Sequence, residues 1–423
     1  MESPKSSSAA FGLPGDPVPF LPAAVEAPKV SALGGLPDDP VVEILSRIPA
    51  ESLRQFKRVA RAWRDLLTDP LHRKRLPQTL EGFFHGGGGG DDDGYGHFTS
   101  VYRRSARLVN PSFPFLTKLP GMKRMALLDS CNGLLLFGCT QGKGFGYIVC
   151  NPATKQWVSV AGAGSAPPPY QPGVSDMERR YAHTFLMFDP SVSDHFRLVQ
   201  FWQNLSMEDV EGVHCYSSET GVWNERSSAW KRGEKGGEWG KWGQALMKPA
   251  FGRVFVNGML HFLVYHVKKL EALLVAVDGE GKTCMINRWH EKHDRSEATL
   301  IGLSQGLLHC ISLNLQLKGL QLHMTELSVW VLDRDTQEWI LKQSVSCSKL
   351  FGKSSCHFID FNIVAIHPHH NLIFFVQHWN RKLVVYDMDS KELHSLRTLG
   401  DGYRSITPYV PNFMELPALV DKY

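Results

Sequence analysis

The residues most able to do chemistry in this chain are its histidine groups and its glycine run. His290 and His293, and His367 with His369 and His370, have the side chains of a metal site. They sit in turn-like stretches with no Cys or carboxylate at ligand spacing, so solvated loop histidines are expected. The run GGGGGDDDG at 86–94 has the glycines of a phosphate loop, but no Gly-Lys-Ser/Thr follows and no helix opens behind it. It reads as a flexible insertion between strands, spanning 85–97. SSETGVW (217–223) comes near the S-x-D-x-G-x-T-W box of sialidase-like propellers, yet fails its spacing and lacks the Asp. No acid–base pair can be assigned, and neither cofactor nor metal is expected. The reading is of a non-enzyme.

Two stretches have the composition of recognition surfaces. RSSAWKRGEKGGEWGKWGQ (226–244) sets Trp230, Trp239 and Trp242 among lysines and glycines, with little strand pattern to bury them. Aromatic and basic residues on a loop of a rigid scaffold suit partner binding. A weaker candidate is the Pro-rich AGAGSAPPPYQPGVSDMERRY (161–181). HRKR (72–75) reads as a solvated basic face or as complementarity to an acidic partner.

The elements that must carry these residues fall into two parts. The chain has 423 residues and a formal net charge of +4, so charge implies neither a nucleic-acid nor a membrane partner. Eight scattered cysteines without a C-x-x-C pair read as reduced, buried thiols. Residues 1–34 are broken by prolines and read as a disordered tail that is no signal peptide, and no run reaches membrane-spanning length. An intracellular protein, cytoplasmic or nuclear, is expected.

Over 35–80 apolar residues recur at helical spacing. Ile44, Leu45 and Ile48 share a face of a first helix capped by Asp38 or Asp39, with Pro40 in its first turn and Pro49 at its end. Leu53, Phe56 and Val59, then Trp63, Leu66 and Leu67, mark a second element that stops at Asp69-Pro70. So small a module buries little apolar surface, and part of its apolar face needs a partner.

From 81 to 415 the period is that of strands. CNGLLLF (131–137), VNGMLHFLV (256–264), SQGLLHCIS (304–312) and HHNLIFFV (369–376) each place a strand after a tight turn. Closing hairpins follow, each returning on Trp157, Trp223, Trp289, Trp339 or Leu393, at spacings of 66, 66, 50 and 54 residues. These aromatic returns read as core between blades. Five units are visible, and GFF (82–84) with PYVP (408–411) supplies another by pairing the two ends of the region. The expected fold is a small all-α domain followed by an all-β propeller of about six to eight four-stranded blades, with a pair of β-sandwiches as the alternative and 416–423 as a C-terminal tail.

LPDDPVVEILSRIPAESLRQFKRVARAWRDLLTDP resembles the F-box, whose pattern is LPxxLxxEILxRLPxxSLxxFxxVxxxWxxLI. Leu36, Pro37, Glu43, Ile44, Leu45, Arg47, Pro49, Ser52, Leu53, Phe56, Val59, Trp63 and Leu66 match it position by position. Pro40 departs from it, standing where the family has Leu. NPATKQW and the closing hairpins resemble the F-box-associated, kelch-like propeller domain of the large plant family. The resemblance implies a substrate-recognition subunit of an SCF-type (Skp–cullin–F-box) ubiquitin ligase. In that reading Leu36, Pro37, Ile44, Leu45, Pro49, Leu53 and Val59 contact a Skp-type adaptor, with Trp63 packing the module from within. The adaptor brings the cullin and RING subunits, and the propeller holds a protein substrate, with Trp230, Trp239 and Trp242 as candidate contacts. An F-box scaffold or a carbohydrate- or ligand-binding propeller without a degradative role is the alternative, ahead of a propeller enzyme such as a glycosidase.

Overall fold

The computed structural model describes residues 37–420 except 49–51, 54–55, 57–58, 74, 87–92, 103–107, 142–143, 164–179, 205–208, 226–244, 248–251, 267–270, 282–283, 289–295, 320, 401–402 and 404. The expected tail at 1–34, Leu36, Pro49, Trp230, Trp239, Trp242, Trp289, His290 and His293 lie outside these residues.

The helical module opens with α1 (Asp38–Ser46), followed by α2 (Arg61–Thr68) and a single turn, α3 (Pro70–Arg73). Residues 52, 53, 56 and 59 are helical as well. The N-cap of α1 is Pro37, which offers no side-chain acceptor. Asp38 and Asp39, expected as caps, stand instead in the first turn, where negative charge suits the helix dipole. Pro40 also sits in that turn and costs the helix little, because the first backbone N–H groups have no intrahelical acceptor.

Among the described residues, six sheets make up the rest. Blade one is β3 (Met122–Cys131), β4 (Leu134–Gln141), β5 (Gly144–Asn151) and β6 (Gln156–Ala161). Blade two is β7 (Arg180–Met187), β8 (Arg197–Asn204), β9 (Asp209–Ser217) and β10 (Val222–Glu225). In blade three β11 (Ala245–Met247) and β12 (Arg253–Val256) both pair with β13 (Met259–His266), which continues to β14 (Glu271–Asp278) and β15 (Cys284–Arg288). Blade four is β16 (Ser296–Ser304), β17 (Leu307–Lys318), β18 (Gln321–Leu332) and β19 (Trp339–Ser346), with the short β20 (Cys356–His357) added along β18. Blade five is β21 (Phe361–Ile366), β22 (Leu372–Gln377), β23 (Lys382–Asp387) and β24 (Glu392–Thr398).

The sixth blade closes the ring. β1 (Gly82–Gly86) pairs on one side with β2 (Gly96–Ser100) and on the other with β25 (Ile406–Tyr409), in the register Gly82↔Tyr409. The pairing expected between GFF and PYVP is thus the closure of a six-bladed propeller, which rules out the sandwich alternative. β1 and β2 take up residues 82–86 and 96–100, so both ends of the insertion expected at 85–97 are strand.

The core is divided as the ring requires. Each of six apolar clusters combines residues of two neighbouring blades. Adjacent residues of one strand serve different clusters: Phe83 packs toward blade five and Phe84 toward blade one. Strands buried on both faces explain the continuous apolar runs in the sequence. The aromatic returns pack into these interfaces: Trp339 is buried in the fourth blade, while Trp157 and Trp223 are half-buried. The returns share a backbone device. Lys155, Gly221, Gln337 and Lys391, each two residues before the return, have positive φ, after a turn begun by an Asn, Ser or Asp that caps a following N–H.

Two further expectations are corrected here. Leu416 and Leu419 do not continue as a tail; they are buried against blade one, where Leu416 N donates to Gln156 Oε1 at 2.9 Å. His367 is not a solvated loop histidine. Its ring is buried, and its Nδ1 accepts the N–H groups of His369 and His370 at 3.0 and 3.1 Å.

Candidate protein-interaction surfaces

The helical module has a core of its own. Val41, Val42, Leu45, Leu53, Leu66, Leu67 and Leu76 are buried together, with Ile48, Phe56 and Trp63 packed against them. The rings of Phe56 and Trp63 lie 5.2 Å apart. Arg75 ties the end of the module to its first helix through Asp39 and Glu43 at 3.2 and 2.9 Å. Glu43 also meets Arg47, and the hydrogen bond from Arg47 leads the interactions that lower its pKa.

This core sorts the residues expected to meet a partner. Leu45 and Leu53 are 1% and 4% exposed and hold the module together. Trp63 is half-buried against the same cluster. Ile44 and Val59, by contrast, are 60% and 73% exposed, and Pro37 and Pro40 are exposed too. The buried face of α1 is Val41, Val42 and Leu45, with Ile44 turned away from it. Leu71 is 74% exposed and joins the outward aliphatic residues. Sequence reasoning missed it because Asp69-Pro70 reads as a stop, whereas Asp69 Oδ1 accepts Leu71 N and starts one more helical turn.

Strand direction places the joints. β1 begins where β25 ends, so the helical module enters the ring at the end where the inner strands terminate. The turns from second to third strand, and from fourth strand to the next blade, lie at the opposite end. Glu225 and Ala245, which flank the Trp-rich stretch, therefore both lie at the end away from the module joint.

A cavity of about 470 Å³ runs along the ring axis, lined by inner strands that include β3, β12, β16, β21 and β25. Its walls are largely aliphatic. Arg253 enters it from β12 but is held by Asp129 of β3, to which its Nε donates at 2.6 Å. The second oxygen of Asp129 accepts Leu186 N at 2.7 Å, so one carboxylate ties together the inner strands of three blades. At the end away from the module joint, His378 and Tyr403 line the cavity, with Nδ1 and hydroxyl 3.0 Å apart. Burial lowers the pKa of His378. Among the described residues no helix is long and apolar enough to cross a membrane.

Comparison with known proteins agrees with this geometry. Residues 33–75 match the F-box domain, and residues 105–405 match the beta-propeller described as "F-box protein At3g26010-like". Two curated Arabidopsis thaliana proteins are similar. F-box protein At5g07610 is 27% identical over 206 residues, 44% of each chain. Putative F-box protein At3g16210 is 27% identical over 202 residues, 45% of this chain and 46% of the relative. The matched region thus spans less than half the length of either relative. The propeller match, by contrast, takes in well over half of the sequence and blades one to five, and with an F-box ahead of it the chain belongs to the family of F-box proteins with an At3g26010-like beta-propeller.

Proposed function

We propose that this protein is the substrate-recognition subunit of an SCF-type ubiquitin ligase. Its F-box docks on a Skp-type adaptor, and through it on cullin and RING subunits, while the propeller holds the protein to be ubiquitinated. The observation that carries the reading is the F-box surface: a module with its own closed core leaves Ile44, Val59 and Leu71 in solvent. Scattered exposed aliphatics are ordinary, but three on so small a module fit the anchors of a protein interface. The chain makes and breaks no bond in this reading. It acts by raising the effective concentration of a substrate lysine near a charged conjugating enzyme, in the cytoplasm or the nucleus. Trp230, Trp239 and Trp242 are proposed as substrate contacts, because their flanking strands lead away from the F-box joint.

Capture of a purified Skp-type adaptor by the full chain tests the reading. The double variant Ile44→Asp/Val59→Asp should reduce capture at least about a hundredfold, since each new carboxylate must be desolvated unpaired at the interface. Wild-type capture by that variant, or no capture by the unaltered chain, would overturn it.

A further inference from the structure

The fourth blade is irregular. β17 and β18 are each 12 residues long, while the neighbouring inner strand β16 pairs only as far as Asn314. The hairpin therefore continues past the blade, at the end of the ring away from the F-box joint.

One face of this extension is apolar in successive rows. Leu313 pairs with Leu327, then Leu315 with Met324, which in turn pairs with Cys356 of β20. These rows belong to the core between blades four and five. They are covered by the short helix α5 (Cys347–Phe351), numbered after the single turn α4 (Pro114–Thr117), with Cys347, Leu350 and Phe351 packed on them. The cover stops one row short. Leu317 and Leu322 pair directly across the hairpin, yet are 70% and 41% exposed.

More apolar surface lies beside that row. Ile359, in the 3-10 turn after β20, is 61% exposed, and Trp379 is 42% exposed with its ring 5.5 Å from that of Phe351. The surroundings are basic. Lys318 Nζ donates to Ser355 Oγ at 2.7 Å, Lys353 lies 4.2 Å over the Trp379 ring, and Lys349 stands exposed on α5. Against these three lysines the described residues of 315–324 and 347–360 hold one carboxylate, Asp360, which accepts the His357 N–H.

We infer that the uncovered Leu317/Leu322 row, with Ile359 and Trp379 beside it and Lys318, Lys349 and Lys353 around it, docks an acidic peptide segment bearing aliphatic side chains on the substrate protein. Charge complementarity selects this occupant. The apolar row provides burial, and the lysines favour carboxylates over cations on the approaching chain. The inference rests on the substrate-receptor reading above and names the chemistry of the segment recognised.

The test uses the full chain bound to its adaptor and a fluorescein-labelled peptide of alternating leucine and glutamate, with a leucine–lysine peptide as its counterpart. Fluorescence anisotropy should show saturable binding of the acidic peptide and far weaker binding of the basic one. Leu317→Ser/Leu322→Ser should weaken the acidic peptide by about tenfold or more, and Lys318→Glu/Lys353→Glu should reverse the preference. All these positions are exposed, so circular dichroism and adaptor capture should match wild type. Equal binding of both peptides, or wild-type affinity in the leucine variant, would overturn the inference. So would self-association of the chain that the leucine change abolishes, or cosedimentation with phosphatidylserine vesicles through the same leucines. Adaptor capture separates the two readings: intact capture with no peptide preference sinks only the docking surface, and lost capture sinks the ligase assignment.

Discussion

The guanidinium of Arg253, on the inner strand of blade three, reaches past blade two to the carboxylate of Asp129 on blade one. Asp129 is 1% exposed, and it receives Arg253 Nε at 2.6 Å, a second donor from the same guanidinium, and the backbone N–H of Leu186 between them. Arg253 also lies over the ring of Phe185, 5.6 Å from its centre. Breaking such a pair by removing one charge leaves the other uncompensated, at a cost of about 3 kcal/mol or more. Asp129→Asn should lower the urea midpoint accordingly. Asp129→Asn/Arg253→Met should cost less than the sum of the two single changes, because the stranded cation is then gone. Strict additivity would show that the pair does not couple the blades.

Tyr409 is fully buried at the ring closure, between the rings of Phe84 at 5.3 Å and Phe98 at 6.2 Å. Its hydroxyl has no hydrogen-bond partner among the described residues. Burial raises its pKa, which keeps it neutral. A buried hydroxyl without a partner costs about 1–3 kcal/mol, so Tyr409→Phe, which keeps the ring contacts, should stabilise the protein by about 1 kcal/mol. A lower melting temperature in this variant would contradict the orphan hydroxyl.

His85 sets a limit on acid stability. It is buried in β1 beside His97, with Nε2 3.1 Å from Thr99 Oγ1, and burial first, then the neighbouring charge of His97, pushes its pKa down to about 4. In the unfolded chain the group titrates near its ordinary value of 6.5. Above that value both states are neutral and the shift has no effect. As pH falls from about 6.5 toward 4 the unfolded state binds the proton and the folded state does not, so stability declines by on the order of 3 kcal/mol. His85→Gln can keep the bond to Thr99 without titrating. It should flatten the fall in melting temperature across that window, and an unchanged slope would mean the loss arises elsewhere.

The F-box core separates two kinds of variant. Leu53→Asp puts a charge into the buried cluster of the module and should unfold it, abolishing adaptor capture by loss of structure. Ile44→Asp and Val59→Asp change exposed positions and should leave the unfolding free energy within about 0.5 kcal/mol of wild type. Helical content and adaptor capture, measured together, tell the two apart.

The propeller was legible because its repeats carry turn chemistry. Asn132-Gly133 and Asn257-Gly258 take the positive φ values that an Asn-Gly hairpin requires, and Gln305-Gly306 does the same with Gln in place of Asn. The fourth such turn, before HHNLIFFV, works differently: His367 folds under its own loop and caps two N–H groups, so its ring counts toward the core. In the F-box, matching a pattern located the module but could not say which leucines face inward. Ile44 and Leu45 are neighbours in sequence and about 100° apart around the helix, and only the position of the second element decides between them. The Asp129–Arg253 pair joins residues with no sequence relationship, brought together by the ring, and no local pattern announces it.

The closure through β1 and β25 has a consequence for biosynthesis. β25 leaves the ribosome after every other strand of the propeller, and β1 before any of them. At ordinary elongation rates the interval is on the order of half a minute. Throughout it the edge of β1 that will receive β25 lacks its partner, Phe84 lacks the ring of Tyr409, and the F-box has already been made. A chain stalled during translation therefore has its F-box but an open ring, and an unpaired strand edge is a template for aggregation. Completion of β25 is the event that turns a nascent chain with an open ring into a closed propeller.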